Sequence, residues 1–125
     1  MGSAVVFLSS RRAADVALTG GKGASLARLH RHSFPVPPGF VITTRALGPP
    51  LESARGLVDG DGLDAAHAYC LAWEMPGALR RAVLGAYGRL GQGPVAVRSS
   101  LVCEDSASAS CAGLLDTVLG AEGEP

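Results

Sequence analysis

Two short stretches carry residue types that meet phosphate. TGGKGAS, residues 19–25, places paired glycines, Lys22 and a third glycine at a predicted turn that opens a helix. Glycines let the backbone approach a ligand closely. A helix N-terminus presents N–H groups and partial positive charge, and a lysine adds a mobile point charge. The stretch is not a P-loop: that motif needs Ser or Thr directly after the lysine and an earlier glycine, where this chain has Gly23 and Val16. A glycine-rich turn with a solvated lysine would share the spacing. The second stretch, PVAVRSS (94–100), reads as a buried strand ending at Arg98, Ser99 and Ser100. Ligands gather beyond the carboxyl ends of strands in α/β sheets. A guanidinium fork holds two phosphate oxygens at once, and the serines can add hydroxyl or backbone donors. The competing reading is a surface arginine paired with Glu104 or Asp105.

Other candidates are weaker. SASASCAG alternates Ser106, Ser108 and Ser110 with small residues before Gly113, which suits either a flexible phosphate cover or a linker. Glu104 and Asp105 could reach a magnesium-bound phosphate, although adjacent loop acids are usually just solvated. Asp116 and Thr117 fall on a predicted strand, where only one of two neighbours can face a site. His30 and His32 close the first helix, where imidazolium complements the helix dipole, and His67 lies within a later one. All three read as structural or exposed. Cys70, Cys103 and Cys111 form no CxxC pair, and with three scattered histidines they do not supply the ligand spacings of a zinc site. An odd cysteine count fits reduced thiols in the cytoplasm.

The elements that must position these residues follow from pattern. SAVVFL (3–8) reads as a short buried strand. The helix opened by the glycine turn carries Leu26 and Leu29 on one side and ends near Ser33. FPVPPG (34–39) is rigid and extended, because proline fixes its own φ and pushes its predecessor towards extended geometry. FVITT (40–44) has β-branched strand character. Residues 45–62 mix turn formers with few apolar side chains and read as a surface loop with room for one helical turn. Leu63, Ala66, Tyr69 or Cys70, and Trp73 recur at helical spacing. Pro76 fits the first turn of the next helix, where Leu79, Val83, Ala86, Tyr87 and Leu90 trace one face before Gly91 and Gly93. PVAV (94–97) is a strand, 101–113 a loop, and LLDTVL (114–119) another strand. The sum is a mixed α/β fold without strict βαβ alternation.

At 125 residues the chain has the length of one domain. Its hydrophobic content of 47%, with only 5% aromatic, implies a core of Val, Leu and Ala. Eleven basic and eleven acidic residues cancel, so no long-range field for nucleic acid or an anionic membrane is expected, and any anion site must be local. The mean hydropathy of +0.26 is high, yet no apolar run approaches the ~20 residues of a membrane span. The N-terminus lacks the basic region of a signal peptide.

GGKGASLARL, FPVPPGFVITT and PVAVRSSLVCEDSASASCAGLLDTVLG, in that order, resemble the N-terminal nucleotide-binding region of the phosphoenolpyruvate synthase and pyruvate, phosphate dikinase family, which includes the rifampicin phosphotransferases. The resemblance runs from about Ala4 to Gly120 and is weakest across 45–75. It implies part of an ATP-grasp fold over residues 1–125, with ATP and Mg²⁺ as ligands. The magnesium ligands would lie mainly outside this chain. It also implies phosphoryl transfer to a histidine on another domain, then to pyruvate or another acceptor. The phosphate-binding residues it implies are Lys22 and Arg98, with Ser99, Gly113 and Thr117 beside them. Synthase-like members carry a glutamine pair where this chain has Leu114 and Leu115. LLDTVLG resembles the dikinase form and VRSS…ED the synthase form, so the motifs do not choose the acceptor. The chain would supply half of a nucleotide site and be inactive alone, its partners being ATP and the remaining domains or a split-gene partner. The alternative is a stand-alone binding or regulatory module that kept the fold, lost catalysis and self-associates through exposed apolar surface.

Overall fold

The computed structural model describes residues 3–100 and 117–123. In chain order these form β1 (Val5–Phe7), a 3-10 turn (Arg11–Ala14), α1 (Val16–Arg31), β2 (Phe40–Ile42), α2 (Thr44–Gly60), α3 (Leu63–Ala72), α4 (Gly77–Arg89), β3 (Val95–Arg98) and β4 (Thr117–Ala121). This is the expected mixture of helices and short strands. The strands form two separate antiparallel pairs, β1 with β2 and β3 with β4.

In the first pair Val5 faces Ile42, Val6 faces Val41 and Phe7 faces Phe40. The β-branched residues suit this extended geometry. The proline-rich stretch 34–39 delivers the chain to β2 without regular structure. The pairing continues past both ends: the Leu8 N–H donates to the Gly39 carbonyl at 3.0 Å and the Thr43 N–H to the Ala4 carbonyl at 3.0 Å. Val6 and Leu8 point into the core. The Phe7 ring instead meets Phe40, centroids 5.9 Å apart, and is covered by the Arg89 guanidinium of α4 at 4.2 Å.

Helix α1 packs beneath this pair. Leu18 is buried before Gly20, and past it the buried residues are Gly21, Gly23, Ala24 and Ala27, with no leucine among them. Leu26 is only half-buried and Leu29 is exposed, so the side that carries these two leucines is not the buried one. The small residues let helix and strand close up: a Cβ on Gly23 would lie 3.2 Å from Cγ2 of Val41. Val6, Ala13, Leu18 and Ala27 make the core cluster.

Residues 45–62 are not a loop. Helix α2 covers Thr44–Gly60 despite Pro49 and Pro50 within it. Each proline removes one helical donor, but Leu47, Pro50, Ala54 and Leu57 recur three or four residues apart and form the less exposed side. That spacing was present in the sequence and was outweighed by its turn formers. Helix α3 falls where the periodicity placed it, with Ala66 buried, although Leu63 is exposed. In α4 the expected face holds: Leu79 and Ala86 are buried, and Val83, Tyr87 and Leu90 are half-buried.

The β3–β4 ribbon corrects another expectation. Its strands are largely exposed rather than buried, with Val97 54% accessible. The register slips by one residue between Val95 and Val97. Gly120 sits at this slip with φ 68°, a left-handed conformation that glycine adopts readily. Tyr87 pins the ribbon to α4: its hydroxyl lies 2.8 Å from the Gln92 carbonyl and accepts from the Gly123 N–H at 3.1 Å.

Candidate functional site

The glycine-rich turn and the end of the VRSS stretch meet. α1 is two helical segments joined at Gly20, which has φ 75° and ψ 175°. Only glycine occupies that region readily. Asp15 caps the first segment, its carboxylate accepting from the Ala17 N–H at 3.0 Å. Thr19 closes it, 1% exposed, with its hydroxyl 2.7 Å from the Ala13 carbonyl and 3.0 Å from that of Asp15. The helix resumes at Gly21, so Lys22 stands in the first turn of the second segment.

Against this break lies the chain that leaves β3. The Lys22 ammonium donates to the Ser99 carbonyl at 3.2 Å, across 77 residues of sequence. The Ser100 hydroxyl accepts from the Gly23 N–H at 3.0 Å and donates to the Thr19 carbonyl at 2.6 Å. The approach is close: a Cβ on Gly20 would overlap the Ser100 hydroxyl and come within 2.7 Å of its backbone carbonyl. Gly20 is therefore required twice, by its φ and by its neighbour.

Of the residues expected at the site, Lys22 and Ser99 are brought together, Ser99 through its carbonyl rather than its hydroxyl. Arg98 is the last residue of β3 and pairs directly with Thr117, the first of β4. Directly opposed residues present their side chains on one face of the ribbon. Both are exposed. Gly113, and with it Glu104, Asp105 and the 101–113 loop, lies outside the described residues. Thr19 was passed over by reasoning from Lys22 and Arg98, whereas Gly20 and Ser100 were named in the two stretches without the contact between them. The paired glycines and paired serines were their only signal.

Lys22, in the first turn of the restarted helix, stands where a phosphate-type anion is favoured, and Arg98 precedes by one residue the Ser99 carbonyl that the Lys22 ammonium meets. Among the described residues no group of three or more His, Cys, Asp or Glu could hold a metal ion, so they do not fit a magnesium site by themselves. His30, His32 and His67 are all exposed, and among the described residues no helix is long and apolar enough to cross a membrane.

The family model described as the pyruvate phosphate dikinase AMP/ATP-binding domain matches residues 62–125. A probable phosphoenolpyruvate synthase of Methanocaldococcus jannaschii is 37% identical over an alignment taking in 87% of this chain and 11% of the relative. A phosphoenolpyruvate synthase of Aeropyrum pernix is 34% identical, with 86% of this chain and 16% of the relative covered. A rifampicin phosphotransferase of a Streptomyces species is 36% identical, covering 98% of this chain and 16% of its own length. The chain thus spans between 11% and 16% of the length of these relatives. With the family model covering just over half of it, the chain belongs to the pyruvate phosphate dikinase AMP/ATP-binding domain family.

Proposed function

We propose that this chain binds the triphosphate of ATP as the N-terminal portion of an ATP-grasp phosphotransferase of the phosphoenolpyruvate synthase type. The observation that carries this reading is the junction of the glycine-rich turn with the VRSS end, where the Lys22 ammonium rests on the Ser99 carbonyl. Lys22 meets the phosphates from α1 and Arg98 from β3, with Thr117 beside Arg98 on the same face of the ribbon and Gly113 as a further phosphate-binding residue. Phosphoryl transfer is mostly positioning plus neutralisation of spread negative charge. Two cations on different elements hold a polyphosphate in one orientation as well as neutralising it. ATP supplies the transferred phosphoryl group. Magnesium would arrive on the nucleotide and take its protein ligands from elsewhere in such an enzyme. The acceptor histidine and the second acceptor, pyruvate or another, belong there too. These 125 residues are catalytically inactive alone and bind ATP weakly. Relatives several times longer support that reading.

Calorimetry with ATP·Mg tests the assignment on the wild type, Lys22→Ala and Arg98→Ala. Each substitution is expected to weaken binding about tenfold, the loss of one charge-assisted contact. Equal affinity in all three proteins removes both residues from the phosphate site.

A further inference from the structure

We propose that Ser100 is a positioning residue for the nucleotide turn, its hydroxyl spliced into the helical hydrogen-bond ladder at Gly20. The inference rests on the ATP-binding reading given above and adds a residue to it. In an unbroken helix the Gly23 N–H would donate to the Thr19 carbonyl, four residues earlier. Gly20 leaves helical geometry between them. The Ser100 hydroxyl takes up both loose ends, accepting from Gly23 at 3.0 Å and donating to Thr19 at 2.6 Å. An inserted side chain is one of the recognised causes of a helix break. A hydroxyl can serve both groups because it combines one donor with acceptor lone pairs.

The residues flanked by these two bonds are Gly20, Gly21 and Lys22. Ser100 therefore fixes the segment that aims the lysine. Its neighbour Ser99 receives that lysine's ammonium, so one dipeptide sets both the backbone and the head of Lys22. Glycine at position 20 completes the arrangement, since a side chain there would collide with the Ser100 hydroxyl. Alanine at position 100 would leave the Thr19 carbonyl and the Gly23 N–H without their partner in a buried turn.

Nuclear magnetic resonance on the 15N-labelled 125-residue chain tests this, comparing wild type, Ser100→Ala, Ser100→Thr and Val6→Ala. Without nucleotide, Ser100→Ala is expected to speed exchange of the Gly23 amide about tenfold relative to amides later in α1, because its acceptor is gone. Titration with ATP·Mg is expected to show an affinity about tenfold lower for Ser100→Ala, with Ser100→Thr, which keeps the hydroxyl, within about threefold of wild type. Val6→Ala, a core truncation in β1 that removes none of the turn's hydrogen bonds, lowers stability but leaves affinity within about twofold. Unchanged Gly23 exchange in Ser100→Ala overturns the inference. So does a loss of affinity that Val6→Ala matches or that Ser100→Thr fails to restore. A wild type that gives no response to ATP·Mg overturns the functional reading, and this inference with it, whatever the exchange rates.

Discussion

The break at Gly20 and the α2–α3 hairpin hold chain segments together in opposite ways. At Gly20, buried glycines let α1 lock to a segment 77 residues away through hydrogen bonds between side chains and backbone. In the hairpin, two helices adjacent in sequence rest on the small side chains of Ala54 and Ala66, while Leu51, Val58, Leu63 and Leu71 stay exposed. The first region is specified atom by atom and tolerates no added volume. The second is specified by helical periodicity and has room to spare. The same residue type therefore does different things in each: Gly20 sits against Ser100 at positive φ, whereas Gly56 in α2 has nothing within 4 Å of the place a Cβ would take.

Stability measurements can break this contrast. The largest loss is expected for Gly20→Ala, about 4 kcal/mol from forced backbone geometry plus steric overlap, read as a shift in the urea midpoint. A loss under about 1 kcal/mol would show that the junction relaxes easily. Leu18→Ala, in the core beside that turn, is expected to lose about 3 kcal/mol. Leu71→Ala, at a site 77% exposed, should stay within about 0.5 kcal/mol of wild type. Comparable losses for the two leucines would erase the distinction between the regions. Thr19→Val keeps the shape of a buried side chain and removes its hydrogen bond, so a loss of about 1–2 kcal/mol is expected. One effect has the opposite sign. Gly56→Ala should stabilise the protein by about 0.8 kcal/mol, since alanine is the better helix former and space is open. A destabilised Gly56→Ala would mean that α2 is packed more tightly than its exposure indicates.

Legibility in the sequence follows the same division. Elements specified by near neighbours were readable: β1 and β2 from β-branched runs, α3 and α4 from apolar periodicity, the extended 34–39 stretch from its prolines. α2 was missed because Pro49 and Pro50 carry the signal of a loop, while the apolar residues that oppose it are few and partly exposed. The burial of β3 was misjudged for a related reason. Small apolar residues predict a strand, but whether a second layer covers it depends on the arrangement of other segments. At the site, residue chemistry singled out Lys22 and Arg98 and offered Ser99 and Ser100 alike as donors, without saying which would do what. Nothing in a pair of adjacent serines says which one will turn towards a helix 77 positions away.

What the amino-acid order determined alone was local: which stretches extend, which coil, where glycine permits a break, and where cationic and hydroxyl groups stand in the chain. Tertiary structure decided which of those groups meet. Backbone groups are shared by every residue, so a bond from Ser100 to Thr19 and Gly23 leaves no periodic trace in sequence. It exists only because β3 ends where α1 is interrupted, and folding alone brings those two places together.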